Sequence, residues 1–394
     1  MQVNDKTLRA ATLLVGSAVA TVTMQKVKSY YKRSYPNLLM SEDSLRHYID
    51  KCDLSLAGSS LWDLIDPYGI YQTAMGVISR KFYFSKTLGY QRQLLVLEDG
   101  GQVALDWRAT KNREDESVPL VLVQHGLCGH SQSGYVKSLI GDLEQAGFYV
   151  VVFVARGCGR VPLTTPETFT ASRTSDFHAV LEHIRLKHPK RELHTVGFSL
   201  GAGLLLKYLG EQGATAKAIL KSAVAICPSF DFFVKSDTFK YFSAGAVKSL
   251  QALVKTHAAF LKDHPTSKLD WNGMMKAKNI REFDQAAIVG ALKGGADDYL
   301  HHPTVDDYYD SSSSIKVSFN VQVPTLAICA SDDPVCASEG APTHLHQVGP
   351  GLMVLTSRHG GHIGFLGGWL GAGRTYWCDT LAREWIQAVR GDSE

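Results

Sequence analysis

The most informative chemical feature of the sequence is Gly197-Phe198-Ser199-Leu200-Gly201, a G-x-S-x-G motif. It directly follows an apolar run that predicts a strand and opens a run that predicts a helix, which is the context of a nucleophile elbow. Such a turn crowds the positions two before and two after the serine, and both are glycine here. Ser199 would stand at a helix N-terminus, where the backbone stabilises negative charge. The motif therefore predicts a nucleophilic serine; the alternative is a serine that only caps the helix.

A second glycine-rich loop, His125-Gly126-Leu127-Cys128-Gly129, follows the first buried strand of the same region. Beside a nucleophile elbow, such a loop supplies one backbone N–H of the oxyanion hole, and the residue after the nucleophile supplies the other. We therefore expect the main-chain N–H groups of Leu127 and Leu200 to bind a substrate oxyanion. The alternative is that the glycines only form a tight turn. We interpret His125 as a structural histidine, because it would have to double back to act as a base.

The acid and the base of a catalytic triad are expected further along the chain, since the order in this type of site is Ser, then Asp or Glu, then His. Asp332 and Asp333 follow the next-to-last apolar run, and His359 and His362 follow the last one. Strand ends of a parallel sheet share one edge, so both loops are expected near Ser199. The pattern leaves open which member of each pair takes part. Loop stabilisers or a His-x2-His metal pair are the alternatives, and a metal is disfavoured because no third ligand has suitable spacing.

Apolar runs that alternate with amphipathic stretches predict the elements that carry these loops. The runs lack polar alternation, which is typical of parallel strands covered by helices on both faces. A hairpin with a glycine turn is predicted over residues 94–107, and helices over residues 175–188 and 200–209. The predicted buried strands are residues 119–124, 148–154, 193–197, 222–227, 323–330 and 352–356. The sequence thus predicts an α/β fold with a mostly parallel sheet.

Residues from about 230 to 316 interrupt this alternation with helical periodicity followed by a polar stretch. We interpret them as a helical lid inserted between two strands. The apolar stripe at residues 250–261 is expected to pack the lid core, with an acyl pocket or membrane contact as alternatives. The predicted organisation is an anchor or targeting segment at 1–34, an N-terminal extension at 35–90 and the α/β domain at 91–394.

Composition and charge exclude several classes of protein. The 394 residues are 45% apolar and 20% charged, with a formal net charge of +3, which is ordinary for a globular protein and too close to neutral to indicate nucleic-acid binding. The seven cysteines have irregular spacing and form no CxxC pair. They are typical of thiols in a reducing compartment, not of a disulfide framework or a structural zinc site.

The uncharged segment Ala10–Met24 bears on localisation. Its roughly 15 residues fall short of the ~20 that span a bilayer, unless Lys26 and Lys28 extend towards the headgroups. A signal anchor, a cleaved targeting peptide and a soluble amphipathic start all remain open. The basic excess follows the apolar run, which disfavours a secretory signal and would keep the body of the protein cytoplasmic. We expect a single N-terminal membrane anchor, with a cytoplasmic location as the alternative.

In these motifs and their order, the chain resembles the α/β-hydrolase-domain family that joins bacterial YheT-like esterases to eukaryotic membrane-anchored lipases. Transferred motif by motif, the resemblance implies that Ser199 is the nucleophile, Asp333 the acid and His362 the base. It extends over roughly residues 40–390. The matching segments are residues 97–107, 124–131, 155–171, 196–213, 305–313, 323–334 and 359–365.

The resemblance also implies the α/β-hydrolase fold and a serine esterase or lipase that acts on acyl esters, often glycerolipids or phospholipids, through an acyl-enzyme and without a cofactor. Ala155, Arg160 and Gly203 depart from the residues usual in the family, and these departures concern the shape of the pocket and not the triad. Two alternatives stay open. One is a hydrolase-fold binding protein or receptor without turnover, and the other is a soluble esterase for small esters.

Two further features are interpreted as having no role in catalysis. Arg156 is expected to form an ion pair below the site, with binding of a phosphate headgroup as the alternative. His301 and His302 form H-x4-D matches with Asp306 and Asp307, a pattern sometimes associated with acyl transfer. These matches lie in the insertion, so we attribute them to chance.

Overall fold

The computed structural model describes residues 36–56, 69–110, 115–264, 269–289, 302–367 and 376–391. The predicted anchor at residues 1–34 lies outside this part of the chain. Among the described residues, no helix combines the length and the apolar character needed to cross a bilayer.

One mixed sheet contains the nine strands of the described residues, in the order β1-β9-β8-β7-β6-β4-β5-β3-β2. The strands are β1 (Asn37–Met40), β2 (Tyr90–Val96), β3 (Gln102–Arg108), β4 (Leu120–Gln124), β5 (Tyr149–Val154), β6 (Leu193–Phe198), β7 (Ser222–Ile226), β8 (Thr325–Ala330) and β9 (Leu352–Ser357). Strands β4 to β9 pair in parallel. Strands β1, β2 and β3 add antiparallel edges. The predicted mostly parallel sheet is therefore confirmed.

Every residue of β4, β5, β6 and β7 is buried, because helices cover both faces of this sheet. The helices are α1 (Arg46–Ile49), α2 (Ile70–Tyr83), α3 (Gly134–Gln145), α4 (Ser175–Lys187), α5 (Leu200–Gln212), α6 (Ala214–Ile219), α7 (Phe239–Thr256), α8 (Ala258–Asp263), α9 (Trp271–Lys276), α10 (Ile280–Ala287), α11 (Val305–Ser312) and α12 (Trp377–Arg390). Helix α3 packs against α2 and α12, and helix α4 packs against α5. Continuous runs of valine and leucine in the strands make such two-sided burial favourable.

Helices α7 to α11 lie in the chain between β7 and β8 and have a hydrophobic core of their own. Buried side chains from several of them, including Val247, Met274, Phe283 and Tyr309, form a cluster that is separate from the core around the sheet. This segment therefore packs as a helical cap, in the stretch where the sequence predicts an insertion.

The N-terminal region contains two elements that the sequence analysis does not predict. Strand β1 pairs with β9 from Asn37 opposite Thr356 to Met40 opposite Met353. Helix α2 packs against α3 and against the loop that follows β9. The region therefore contacts the part of the fold where the predicted base lies.

Candidate active site

The residues that the sequence identifies as a triad meet after β6, β8 and β9, the strands that precede Ser199, Asp333 and His362 respectively. The Ser199 hydroxyl oxygen lies 2.8 Å from His362 Nε2. His362 Nδ1 lies 2.9 Å from Oδ2 and 3.1 Å from Oδ1 of Asp333. A carboxylate only accepts hydrogen bonds, so Nδ1 carries a proton, and in the neutral ring Nε2 accepts from the hydroxyl. This is the arrangement that a serine nucleophile and its general base require.

Ser199 occupies a sharp turn between β6 and α5. Its φ of 51° and ψ of −120° are unusual for a residue with a side chain. A Cβ atom at Gly197 would lie 2.9 Å from the Cα of Ala202, and one at Gly201 would collide with the carbonyl oxygen of His125. Glycine is therefore required on both sides of the serine for steric reasons, as the elbow motif predicts.

The predicted oxyanion donors lie on either side of the nucleophile, Leu127 in the loop after β4 and Leu200 at the start of α5. Leu200 is the first residue of α5, so its N–H has no partner within the helix. Within the described ranges, neither Leu127 nor Leu200 donates its backbone N–H to another protein group. Both residues line the same cavity as Ser199. Their N–H groups are thus free to bind the oxygen of a substrate carbonyl.

Asp333 is held rigidly by the backbone of its own loop. Its Oδ1 accepts hydrogen bonds from the N–H groups of Val335 at 2.7 Å and Cys336 at 2.9 Å. Burial is the largest influence on His362 and favours its neutral form, but the charge of the Asp333 carboxylate, the neighbouring Cys336 and hydrogen bonds to Asp333 and Cys227 together raise the pKa of His362 well above the ordinary 6.5. A carboxylate in this position can stabilise an imidazolium at His362.

The neighbouring aspartate and histidine form a second pair with a different partner set. His359 Nδ1 lies 3.3 Å from Oδ2 of Asp332. The other oxygen of Asp332 accepts the backbone N–H of Gly361 at 2.8 Å. The Ser199 hydroxyl is bonded to His362. The geometry therefore pairs Asp333 with His362, the histidine that contacts Ser199. Asp332 and His359 instead stabilise the loop that follows β9.

Cys227 belongs to a group of possible metal ligands that the sequence analysis does not identify. Its sulfur and donor atoms of Asp333 and His362 all lie within 4.8 Å of one another. Burial raises the pKa of the Cys227 thiol to about 12, and the charge of Asp333 acts in the same direction. The sulfur instead accepts the N–H of Ile363 at 3.3 Å and donates towards the carbonyl of Gly361 at 3.7 Å. Both contacts join the sulfur to the backbone of the loop that carries His362, so we assign Cys227 to the support of this loop.

An apolar cavity of about 140 Å³ opens at Ser199, between the edge of the sheet and the cap. Helix α7 contributes Leu250, Leu253 and Val254 to its wall, while Leu261 packs inside the cap. The apolar stripe of the sequence therefore serves both the core of the cap and the lining of the cavity. Other lining side chains include Phe169, Phe230, Phe232, Phe239, Ile280, Phe283, Ile288, Tyr308 and Val335, together with the charged Asp231, Lys235 and Asp284.

Two polar residues near the site have structural roles, as the sequence analysis interprets them. His125 accepts the N–H of Ala155 at Nε2 and donates from Nδ1 to the carbonyl of Gly126. Burial lowers the pKa of His125 to about 4, so the ring is neutral. Arg156 is buried and forms ion pairs with Asp176 and Asp99, both at 2.7 Å. Neither side chain is placed to act on a substrate at Ser199.

Of the H-x4-D matches, His301 lies outside the described residues. His302 lies 3.2 Å from the hydroxyl of Ser172 and contacts the ring of Tyr308. This histidine is buried in the cap, and its contacts account for it without a chemical role.

Thr73 and Arg80 of α2 contact the base-bearing loop and have no counterpart in the sequence analysis. The Thr73 hydroxyl accepts the backbone N–H of His362 at 2.8 Å. Arg80 donates to the carbonyl oxygen of Ile363. No motif marks either residue, since only the folded chain brings them to the loop across nearly 290 positions.

Comparison with known proteins identifies the class of this chain. Residues 119–368 match the profile of the family described as alpha/beta hydrolase fold, so the chain belongs to the α/β-hydrolase family. It is 32% identical over 322 residues to phospholipase ABHD3 of Bos taurus, which covers 79% of this chain and 74% of that protein. It is 27% identical over 282 residues to the monoacylglycerol lipase of Saccharomyces cerevisiae, and the match covers 69% of this chain and 60% of that protein. A solved Pyrobaculum calidifontis esterase matches with a TM-score of 0.49 at 14% identity, over 82% of this chain and 92% of that one. The resemblance expected from the motifs is confirmed.

Proposed function

We propose that this chain is a carboxylic ester hydrolase that cleaves acyl esters of lipids, with Ser199 as the nucleophile, His362 as the general base and Asp333 as the orienting acid. The observation that carries the proposal is the unbroken hydrogen-bond path from the serine hydroxyl to the buried carboxylate, at the wall of an apolar cavity. A hydroxyl activated in this way attacks acyl carbonyls. The chemistry needs no metal or cofactor.

In the first half of the reaction, Ser199 Oγ attacks the ester carbonyl while its proton passes to His362 Nε2. The backbone N–H groups of Leu127 and Leu200 stabilise the oxyanion of the tetrahedral intermediate. The imidazolium then protonates the leaving alcohol as the carbon–oxygen bond breaks, and an acyl-enzyme remains. In the second half, water gives a proton to His362 and attacks the acyl carbon. The bond from that carbon to Ser199 Oγ then breaks as His362 returns the proton to Oγ, which releases the fatty acid and restores the serine.

The apolar cavity and the relatives support a lipid ester as the substrate. Many of the side chains in the wall beside Ser199 are leucine, valine and phenylalanine, which suits an acyl chain. Two similar proteins are named a phospholipase and a monoacylglycerol lipase. We therefore propose monoacylglycerols and phospholipids as the first substrates to test.

The direct test is to combine fluorophosphonate labelling of the wild-type protein with hydrolysis of p-nitrophenyl esters from acetyl to palmitoyl. We expect covalent labelling. We also expect kcat/KM to rise about threefold to fourfold per added methylene until the cavity is full, since each buried methylene contributes about 0.8 kcal/mol. Matched monoacylglycerol and phospholipid substrates then separate the two lipid classes. An optimum at acetyl would favour a small-ester esterase, and a protein that neither labels nor hydrolyses any ester would be a binding protein.

We also propose that the protein docks on a lipid bilayer through the outer face of α2, formed by Ala74, Val77, Ile78, Lys81 and Phe82. The three large apolar side chains of this face are 58 to 75% exposed. The five positions fall within one side of the helix. Lys81 is exposed, and α2 contains no acidic residue. An apolar helix face with a basic residue and no acid complements a membrane that contains anionic lipids.

Replacement of Val77, Ile78 and Phe82 by serine is expected to weaken binding to phosphatidylcholine–phosphatidylglycerol vesicles by about tenfold or more, because less apolar area is buried in the bilayer. Co-sedimentation measures the binding, and a soluble short-chain ester is expected to be cleaved at the wild-type rate. Leu186→Ser is the matched control, since Leu186 is 80% exposed on α4. Equal binding by the triple variant, or a wild-type protein that stays in the supernatant, would contradict the proposal.

A further inference from the structure

The loop that carries His362 has an unusual backbone. Gly361, Ile363 and Phe365 have φ values of 57°, 56° and 42°, and two of these residues are not glycine. Positive φ is costly for residues with a branched or bulky side chain, so such a conformation persists only where surrounding contacts hold it. The position of the His362 ring depends on those contacts.

The loop is held from two sides. From the sheet, Asp332 accepts the N–H of Gly361 and Cys227 accepts the N–H of Ile363. From α2, Thr73 accepts the N–H of His362 itself, and Arg80 donates to the carbonyl of Ile363. Two of the four contacts thus come from a helix outside the residues matched by the family profile.

The Thr73 hydroxyl is fixed in one orientation. It donates its hydrogen to the carbonyl oxygen of Gly69 at 2.7 Å, one turn earlier in the chain. Its oxygen is therefore left to accept the N–H of His362 at 2.8 Å. Thr73 is buried, so no water replaces this acceptor if the hydroxyl is lost.

Helix α2 lies close enough to the loop for this contact because glycines of the helix segment face glycines of the loop. A Cβ atom at Gly361 would collide with the carbonyl oxygen of Gly69, and one at Gly76 would lie 2.9 Å from the Cα of Gly364. At the other end of α2, Arg80 stacks on the ring of Tyr376 with its guanidinium carbon 3.7 Å from the ring centre. The contact between α2 and the loop is therefore closely packed and is held by specific side chains.

We infer that α2 positions the base of the proposed triad and that Thr73 is the positioning residue through which it acts. The inference rests on the proposed function. The bond at the N–H of His362 fixes the backbone from which the ring extends to both Ser199 and Asp333. A base displaced by a fraction of an ångström loses its alignment with the nucleophile, and a shift of 1 Å can lower a rate about 10²-fold.

Thr73→Val removes the hydroxyl and keeps the branched shape, while Thr73→Ser keeps the hydroxyl. For Thr73→Val we expect kcat and the fluorophosphonate labelling rate to fall about 10- to 100-fold with KM changed less than about twofold, and for Thr73→Ser we expect rates within about threefold of wild type. The acid limb of the pH profile of Thr73→Val is expected to move to lower pH, because a looser contact with Asp333 raises the pKa of His362 less. Ser249→Ala on α7 is the control, since this exposed hydroxyl contacts only the carbonyl of Gly245.

All rates are measured at a temperature at which circular dichroism shows each variant to be folded, with Thr73→Ala as a second variant without the hydroxyl. Wild-type rates in both Thr73→Val and Thr73→Ala would overturn the inference. Equal losses in Thr73→Ser and Thr73→Val would also overturn it, since packing and not the hydroxyl would then matter. A wild-type protein without labelling or turnover would instead overturn the proposed function.

Discussion

Replacement of Ser199 by alanine is expected to abolish fluorophosphonate labelling and to lower kcat for ester hydrolysis by about 10⁴- to 10⁶-fold. Removal of a catalytic serine has an effect of this size, because the oxygen that attacks the ester is lost and only stabilisation of the oxyanion remains. The Ser199 hydroxyl is the atom bonded to His362 Nε2 in the cavity, so the loss follows directly from the geometry. Labelling followed by mass spectrometry of the modified peptide, together with ester hydrolysis, measures it.

The control for this experiment is Ser249→Ala, which removes an exposed hydroxyl on α7 that is bonded only to the carbonyl of Gly245. It is expected to label and to turn over like the wild-type protein. Alanine at position 199 has to adopt the same φ of 51°, so the melting temperature of each variant is compared as well. Labelling that survives in Ser199→Ala and maps to another residue would show that the nucleophile is misassigned.

Asp333→Asn is expected to lower kcat by about 10⁴-fold, because an amide can stabilise the wrong tautomer of His362 and cannot stabilise the imidazolium. The acid limb of the kcat/KM profile is also expected to move to lower pH. His362 must be neutral to act as a base, and in the wild-type protein the charge of Asp333 raises the pKa of this histidine. Without that charge, the lowering effect of burial meets less opposition, so the ring stays neutral at lower pH. Residual rates measured across the pH range give both effects.

Asp332→Asn is the matched comparison for this variant. It removes a charge one residue away but leaves an oxygen that can accept the N–H of Gly361. We expect a loss of less than about tenfold, since His359 and not His362 is the histidine paired with Asp332. A larger loss in Asp332→Asn than in Asp333→Asn would reverse the assignment of the two aspartates.

Much of the framework around the site follows from local sequence. The six predicted buried strands occur within two residues of their predicted ends, because strands covered on both faces need continuous apolar runs that few other elements show. The hairpin of β2 and β3 follows from its glycine turn, and Gly100 there has a φ of 80°. Strand β1 was not predicted, since four residues at the edge of a sheet have no distinctive pattern.

The sequence by itself is sufficient to predict Ser199 as the nucleophile, because the elbow is a local steric device in which serine and its flanking glycines lie within five residues. It also predicts an oxyanion loop, an acid and a base at the ends of particular strands. It could not choose between Asp332 and Asp333, or between His359 and His362, without the family resemblance, since both members of each pair lie in one loop. Only the tertiary structure decides this geometrically, through side-chain directions that depend on the positive-φ backbone of the last loop. The same holds for Thr73, whose contact with His362 joins segments far apart in the chain, because long-range packing has no local signature.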